Sequence, residues 1–315
     1  MSRKERRTPL ITVALGLGAA LIYGVADFLG GLASRSLRPL VVTAVTAGIG
    51  IVPLLIALPL LGASFTGRTL VWGLAAGASG AVGVVLLYSA LAIGPMSILS
   101  PVTSVFSALL PVTVSLLTGS RLSPLGDVAI VAALVAMILV ASVKDASGAR
   151  LTPRGLISAA VAGCGFGGIV LAYDASGSHA GLAPLVVSRV LQTIAMSAGV
   201  ALVVRRSAAP APHAFRGGLA DEFGPLRPLR SRGPRRLALV VVACGLADAT
   251  ANALIQAALH ATGTAATLPT VSVLYALYPI GTVVLAAIVL RERLTAVQIG
   301  GLALGFAASA VLALG

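Results

Sequence analysis

Ten apolar runs, most of them near the ~20 residues that carry a helix across a ~30 Å hydrocarbon core, decide what this chain can fold into. They lie at 10–31, 39–61, 69–93, 96–118, 124–143, 154–174, 182–204, 237–260, 264–290 and 295–314. The chain is 58% hydrophobic and 10% charged, with a mean hydropathy of +1.04, and no soluble domain of 315 residues buries so much apolar surface. The expected fold is an all-α membrane protein with ten transmembrane helices. The polar link Lys144-Asp145-Ala146-Ser147-Gly148 divides them into five and five, 1–148 and 149–315.

The two halves repeat each other. Pro101 and Pro111 sit ten residues apart in one apolar run, and Pro269 and Pro279 sit ten apart in another, offset by 168. Between them Ser104, Val105, Ala108 and Leu109 become Ser272, Val273, Ala276 and Leu277. Upstream, Pro39-Leu40-Val41-Val42 returns as Pro184-Leu185-Val186-Val187. An odd number of helices per half makes the second half enter the membrane upside down. Matching broken helices in two inverted halves are the mark of a secondary transporter. Each proline lacks an N–H, so the carbonyls of Ser97, Ser107, Ala265 and Tyr275 lose their helical partners and could serve as ligands or as gating kinks.

Charge is sparse and concentrated. Of the 22 basic residues, eight arginines lie in 205–236, a stretch with five prolines that reads as a disordered connector. Without interleaved aromatics it is not a nucleic-acid site; contact with anionic lipid headgroups is the expected role. Ten helices put both termini on one side. That side carries six Lys and Arg (four in Met1–Arg7, then Arg68 and Arg121), whereas the other carries fifteen. By the positive-inside rule the fifteen face the cytoplasm and the termini lie outside. The first run follows a basic segment but is longer than the ~7–15 residues of a signal core, and Asp27 interrupts it, so it reads as a helix rather than a leader. Cys164 and Cys244 lie in apolar runs without metal or disulfide spacing and read as small core residues.

The carboxyl end carries the most specific local pattern. Arg291-Glu292-Arg293-Leu294-Thr295, then Gln298, Gly300-Gly301 and a last small-residue helix, taken with Ala258-Leu259 and Pro279, resembles the EamA family of the drug/metabolite transporter superfamily. The first half has a degraded copy in Ala90-Leu91, Pro111 and Gly119-Ser120-Arg121-Leu122-Ser123, with Ser120 in place of the Glu and Asp127 where the Gln region begins; Tyr23-Gly24 before Phe28 is similar to the family's first-helix motif. The resemblance implies two inverted five-helix repeats that carry small metabolites across the plasma membrane, mostly as gradient-driven exporters without ATP. It also implies cytoplasmic termini, against the arginine count.

Ionisable groups within a membrane span normally face a cavity or a partner. Asp27 and Asp248 are the carboxylates placed well within apolar runs. Asp248, Asn252 and Gln256 recur every four residues and share one helix face. Arg189, with Gln192 one turn on, is the basic group inside a span. These residues are the candidates for a substrate or proton site. Alternatively either aspartate pairs with Arg189, Asp27 being the stronger candidate for that role, or Arg189 snorkels to the interface. Asp248 is the expected coupling group. Tyr88, Tyr275 and Tyr278 could offer rings and hydroxyls to a ligand or simply pack. His260, near a helix end, is expected at the interface. Gly73-x-x-x-Gly77 fits close helix packing, and Gly163-x-Gly165-x-x-Gly168 matches a dinucleotide fingerprint only by letters. No metal or cofactor site is expected.

A carrier is therefore the favoured reading. A lipid-linked sugar flippase is an alternative within transport; a membrane-embedded enzyme, which lacks an HExxH or Asp-rich motif here, and a channel or scaffold are alternatives outside it.

Overall fold

The computed structural model describes residues 3–94, 96–119, 124–141, 152–208, 234–261, 267–290 and 295–314. Among them the chain is helical almost throughout: α1 (Arg3–Ser34), α2 (Pro39–Leu61), α3 (Gly67–Ile93), α4 (Met96–Leu117), α5 (Pro124–Ala141), α6 (Pro153–Ala175), α7 (Ala183–Ala208), α8 (Pro234–His260), α9 (Thr267–Tyr275), α10 (Pro279–Val289) and α11 (Ala296–Leu314). Eight segments are long and apolar enough to cross a membrane: those in α1, α2, α3, α4, α6, α7 and α8, and α9–α10 taken together as Leu268–Val289. The molecule is thus an all-α, multi-pass membrane protein.

Starts follow the sequence's own punctuation. Proline opens α2 and α6, where its missing N–H costs nothing, and the Thr66 and Thr152 side chains cap the first turns of α3 and α6. Three helices run further than the apolar pattern implied. α1 starts at Arg3, α7 continues to Ala208 and α8 starts at Pro234, so Arg205, Arg235 and Arg236 lie on helix ends rather than in a connector. Residues 209–233, the 144–148 link, Ser120 and Arg291–Leu294 lie outside the described residues.

Each half packs mainly on the other. α1 lies along α8 as α6 lies along α3; α1 meets α9 and α10 as α6 meets α4; α2 packs on α8 as α7 packs on α3. Across the centre α2 meets α7, α5 meets α11 and α4 meets α9 and α10. Glycines set the separations. A Cβ on Gly73 would sit 2.7 Å from the Val187 side chain, and one on Gly77 would sit 3.0 Å from Ser188, so the small-xxx-small spacing does bring α3 against α7. Gly245, 168 residues after Gly77, does the same on α8, 2.8 Å from the Thr46 carbonyl of α2.

The proline pairs act differently in the two halves. α9 and α10 are separated by a tight turn at 276–278, in which the Tyr278 N–H bonds the Tyr275 carbonyl at 3.0 Å and the Gly281 N–H bonds Tyr278 at 3.1 Å. The Tyr275 carbonyl is therefore occupied. α4, by contrast, runs unbroken through Pro101 and Pro111. Hydroxyls of Thr103, Ser104 and Ser107 back-bond the carbonyls of Leu99, Pro101 and Ser104 and support its turns. The Ser107 carbonyl is packed against Gly167 of α6, so close that a Cβ there would lie 3.0 Å away. The expected pair of matching breaks is thus one break, at Pro279. Ala265 lies outside the described residues. Cys164, expected in the core, is exposed on the outer face of α6.

Candidate functional site

Five tyrosines occur in the chain, and all five are buried: Tyr23, Tyr88, Tyr173, Tyr275 and Tyr278. Membrane proteins favour tyrosine at the water interface, where the ring is apolar and the hydroxyl wet. Here the rings gather in the middle of the bundle. Tyr23 of α1 stands edge-on to Tyr275 at 5.1 Å and to Phe166 of α6 at 5.8 Å, with Tyr278 5.8 Å away. The turn between α9 and α10 places Tyr275 and Tyr278 on this cluster, and the Thr282 hydroxyl bonds the Gly24 carbonyl at 3.1 Å, locking α10 to α1.

On one side of the rings lies a polar layer. Among the described residues the buried charged groups are Asp27, Arg189 and Asp248. Arg189 does not snorkel: its Nη1 meets Asp248 Oδ2 at 2.5 Å across the α7–α8 contact and donates to Gln192 Oε1 at 3.1 Å. Asn252, one turn after Asp248, donates to the Asp248 carbonyl at 2.8 Å and to its Oδ1 at 3.2 Å. The Tyr173 hydroxyl donates to Asn252 Oδ1 at 3.4 Å and lies 3.3 Å from Ser188 Oγ. One turn further, Gln256 donates to the Gly181 carbonyl at 3.3 Å and approaches Ser176 Oγ at 3.5 Å. The shared face of Asp248, Asn252 and Gln256 therefore joins α8 to α6, α7 and the loop between them.

That loop is tied to a second connection at one end of the bundle. Ala63 and Gly181 form an antiparallel bridge between the α2–α3 and α6–α7 connections, with Leu182 N–H bonded to the Gly62 carbonyl at 3.0 Å and Ser64 N–H to Ala180 at 3.1 Å. Gly181 has φ +56°, a left-handed conformation that suits glycine, and a Cβ there would strike the Gly62 carbonyl. Arg68 Nε donates to the Ala175 carbonyl at 2.8 Å beside the bridge.

Asp27 is not a member of the ion pair. It is 2% exposed, and its Oδ2 has no hydrogen-bond partner. Tyr88, from α3, lays its ring over Gly30 of α1, where any Cβ would collide with it, and its hydroxyl lies 3.2 Å from Cys244 Sγ. Cys244 in turn lies 3.3 Å from the Ala26 carbonyl.

The structure thus unites Arg189, Gln192, Asp248, Asn252 and Gln256, and buries Asp27, Tyr88 and Tyr275 in the same bundle. Of the two aspartates weighed as partners for Arg189, Asp248, the favoured coupling group, makes the pair, and Asp27 does not. Helical spacing shows that three residues share a face but not which helix that face meets. Tyr173, Ser188, Ser176 and Phe166 escaped the sequence reading. Tyr173 lies one residue from the end of the predicted run 154–174, where tyrosine is ordinarily interfacial, so its position gave no sign of a buried role.

No family model matches the chain, and no curated protein matches it. Twenty-five chains of solved structures match it. One, known only as "Crystal structure of protein", is 19% identical and covers 96% of this chain and 96% of its own, with a TM-score of 0.67. At that identity the likeness is one of fold.

Proposed function

We propose that this protein is a secondary transporter, an exporter of the EamA type, that moves a small metabolite or drug-like solute across the plasma membrane by alternating two inverted five-helix repeats around the buried site. The observation that carries this reading is the Arg189–Asp248 pair held within a membrane bundle and tied, through Asn252 and Gln256 on α8, to the bridge between two connections at one end. A buried ion pair is a costly way to stabilise a bundle, because desolvation offsets much of its attraction. A site that must bind and release polar solute is one reason to keep it.

Two features support the repeat. Among the described residues, with α9–α10 counted as one span, the helices number ten, and the principal contacts between the halves have counterparts five helices on. The inversion is supported by the bridge. Pro39 opens α2, and its counterpart Pro184 opens α7; the loop before Pro184 is bridged to the far end of α2, not to the end where Pro39 lies. Corresponding corners therefore lie at opposite ends of the bundle.

In this mechanism, solute entering from the open side loosens the Arg189–Asp248 pair. α8 shifts, Gln256 releases the Gly181 carbonyl, and the bridged mouth opens. Proton coupling, if the gradient is one of protons, falls to Asp27, since Asp248 already has its counter-ion. Purified protein in liposomes tests the class of activity. Saturable flux marks the carrier, linear ohmic current a channel, and covalent change of the solute an enzyme.

A further inference from the structure

Two buried carboxyl groups, Asp27 and Asp248, stand against the single positive charge of Arg189, and Arg189 is engaged by Asp248. Asp27 is left with a fully buried carboxylate oxygen and no partner on it. An unpaired carboxyl in a low-dielectric interior either holds a proton or meets a positive occupant.

The surroundings indicate which kind. Tyr23, Asp27 and Gly30 stand four and three residues apart on α1, so they share one face. Tyr23 lies one turn before Asp27 on α1. Just under a turn after it, the Tyr88 ring fills the space over Gly30, and its hydroxyl is held at Cys244. Tyr275 and Tyr278 pack on Tyr23 and extend the ring surface. A hard metal cation is held by six or more oxygens in a tight shell, whereas rings and a thiol dominate here. Ring faces suit a diffuse ammonium, which they attract through the aromatic quadrupole and which loses little hydration on entry. A bare proton on the carboxyl would gain nothing from them.

We infer that Asp27 and the tyrosine rings on either side of it form a binding site for a monovalent organic cation, an ammonium group on a small apolar or aromatic frame. This rests on the transporter reading and names its class of solute. The tyrosines are the specificity element, and Asp27 is the charge that selects a cation over a neutral molecule of the same shape.

The test is calorimetric titration of the protein in nanodiscs with benzyltrimethylammonium, with choline, and with 3,3-dimethylbutan-1-ol, the uncharged carbon isostere of choline. Wild type is expected to bind both cations saturably and the alcohol at least tenfold more weakly. Asp27→Asn should lose at least tenfold in cation affinity, Tyr23→Leu should lose severalfold, and Tyr23→Phe, which keeps the ring, should bind as wild type. Equal binding of choline and the alcohol, unchanged affinity in Asp27→Asn, or no saturable binding of either cation overturns the inference. Should Asp27→Asn fail to fold, the wild-type comparison of choline with its isostere decides alone. Counterflow in liposomes separates the two readings. Cations that bind without any solute being carried leave the site standing and sink the transporter; counterflow of other solutes with neither cation bound sinks the site alone.

Discussion

Replacing Asp248 with Asn keeps the side chain's shape and removes its charge. In the native bundle the carboxylate lies 2.5 Å from Arg189 Nη1, with the two side chains 8% and 5% exposed. Two unit charges ~4 Å apart attract by ~4 kcal/mol at an effective dielectric of ~20. Taking one partner away leaves a guanidinium buried against Gln192 alone, and breaking buried pairs this way costs about 3–5 kcal/mol. Arg189→Met should cost a similar amount, because it strands Asp248 with Asn252 as its remaining donor. The double variant removes both charges, so its cost should fall below the sum of the singles by about 2–3 kcal/mol, the coupling expected of groups in direct contact. Reversible unfolding in mixed micelles, run on wild type, both singles and the double, gives that coupling directly. Costs that add to within about 0.5 kcal/mol would refute the pair and, with it, the assignment of Asp248 as a counter-ion.

Gly30→Ala should force Tyr88 off α1 and cost about 1–3 kcal/mol by overpacking, whereas Gly300→Ala, where a Cβ meets nothing within 4 Å, should be neutral or slightly stabilising; thermal unfolding compares them. Pro279→Ala restores an N–H at the break between α9 and α10 and should cut flux strongly, while Pro111→Ala, within an unbroken α4, should cut it little. Equal flux in both would reduce the break to packing. A reporter active only in the cytoplasm, fused after Gly315, decides orientation: activity agrees with the EamA placement of the termini, and silence with the arginine count.

Helix positions were legible because lipid leaves long apolar runs one way to satisfy their backbones. α2 matches its run at both ends, and α3, α4 and α6 fall within two residues of theirs. The ends of α7 and α8 were not legible, since arginines and a proline at a helix terminus look the same in sequence as a polar loop. The break at Pro279 and the continuity at Pro111 escaped for a related reason. Both prolines free a carbonyl, and the outcome depends on the neighbours: Pro111 lies against Gly167 with hydroxyls supporting its helix, while Pro279 follows a turn pinned by Thr282. In the site, the stripe Asp248-Asn252-Gln256 was visible from its spacing, but its partners Arg189, Tyr173 and the Gly181 carbonyl come from other helices. Cys244 looked like filler for a tight contact, yet it bridges Tyr88 and the Ala26 carbonyl. Only the fold supplies such pairings.

The central claim is that one buried site faces the two sides of the membrane in turn, through a mouth closed by the Ala63–Gly181 bridge. Cysteines at Ser64 and Ala180, in a Cys164→Ala background, place a reducible crosslink across that mouth. Counterflow of labelled benzyltrimethylammonium, and of a panel of amino acids, nucleosides and amines, is then measured in the same liposomes before and after reduction. The account predicts no transient accumulation when oxidised and a clear overshoot once reduced. An overshoot of equal size in the oxidised protein, or linear equilibration without overshoot in the reduced protein, would contradict it.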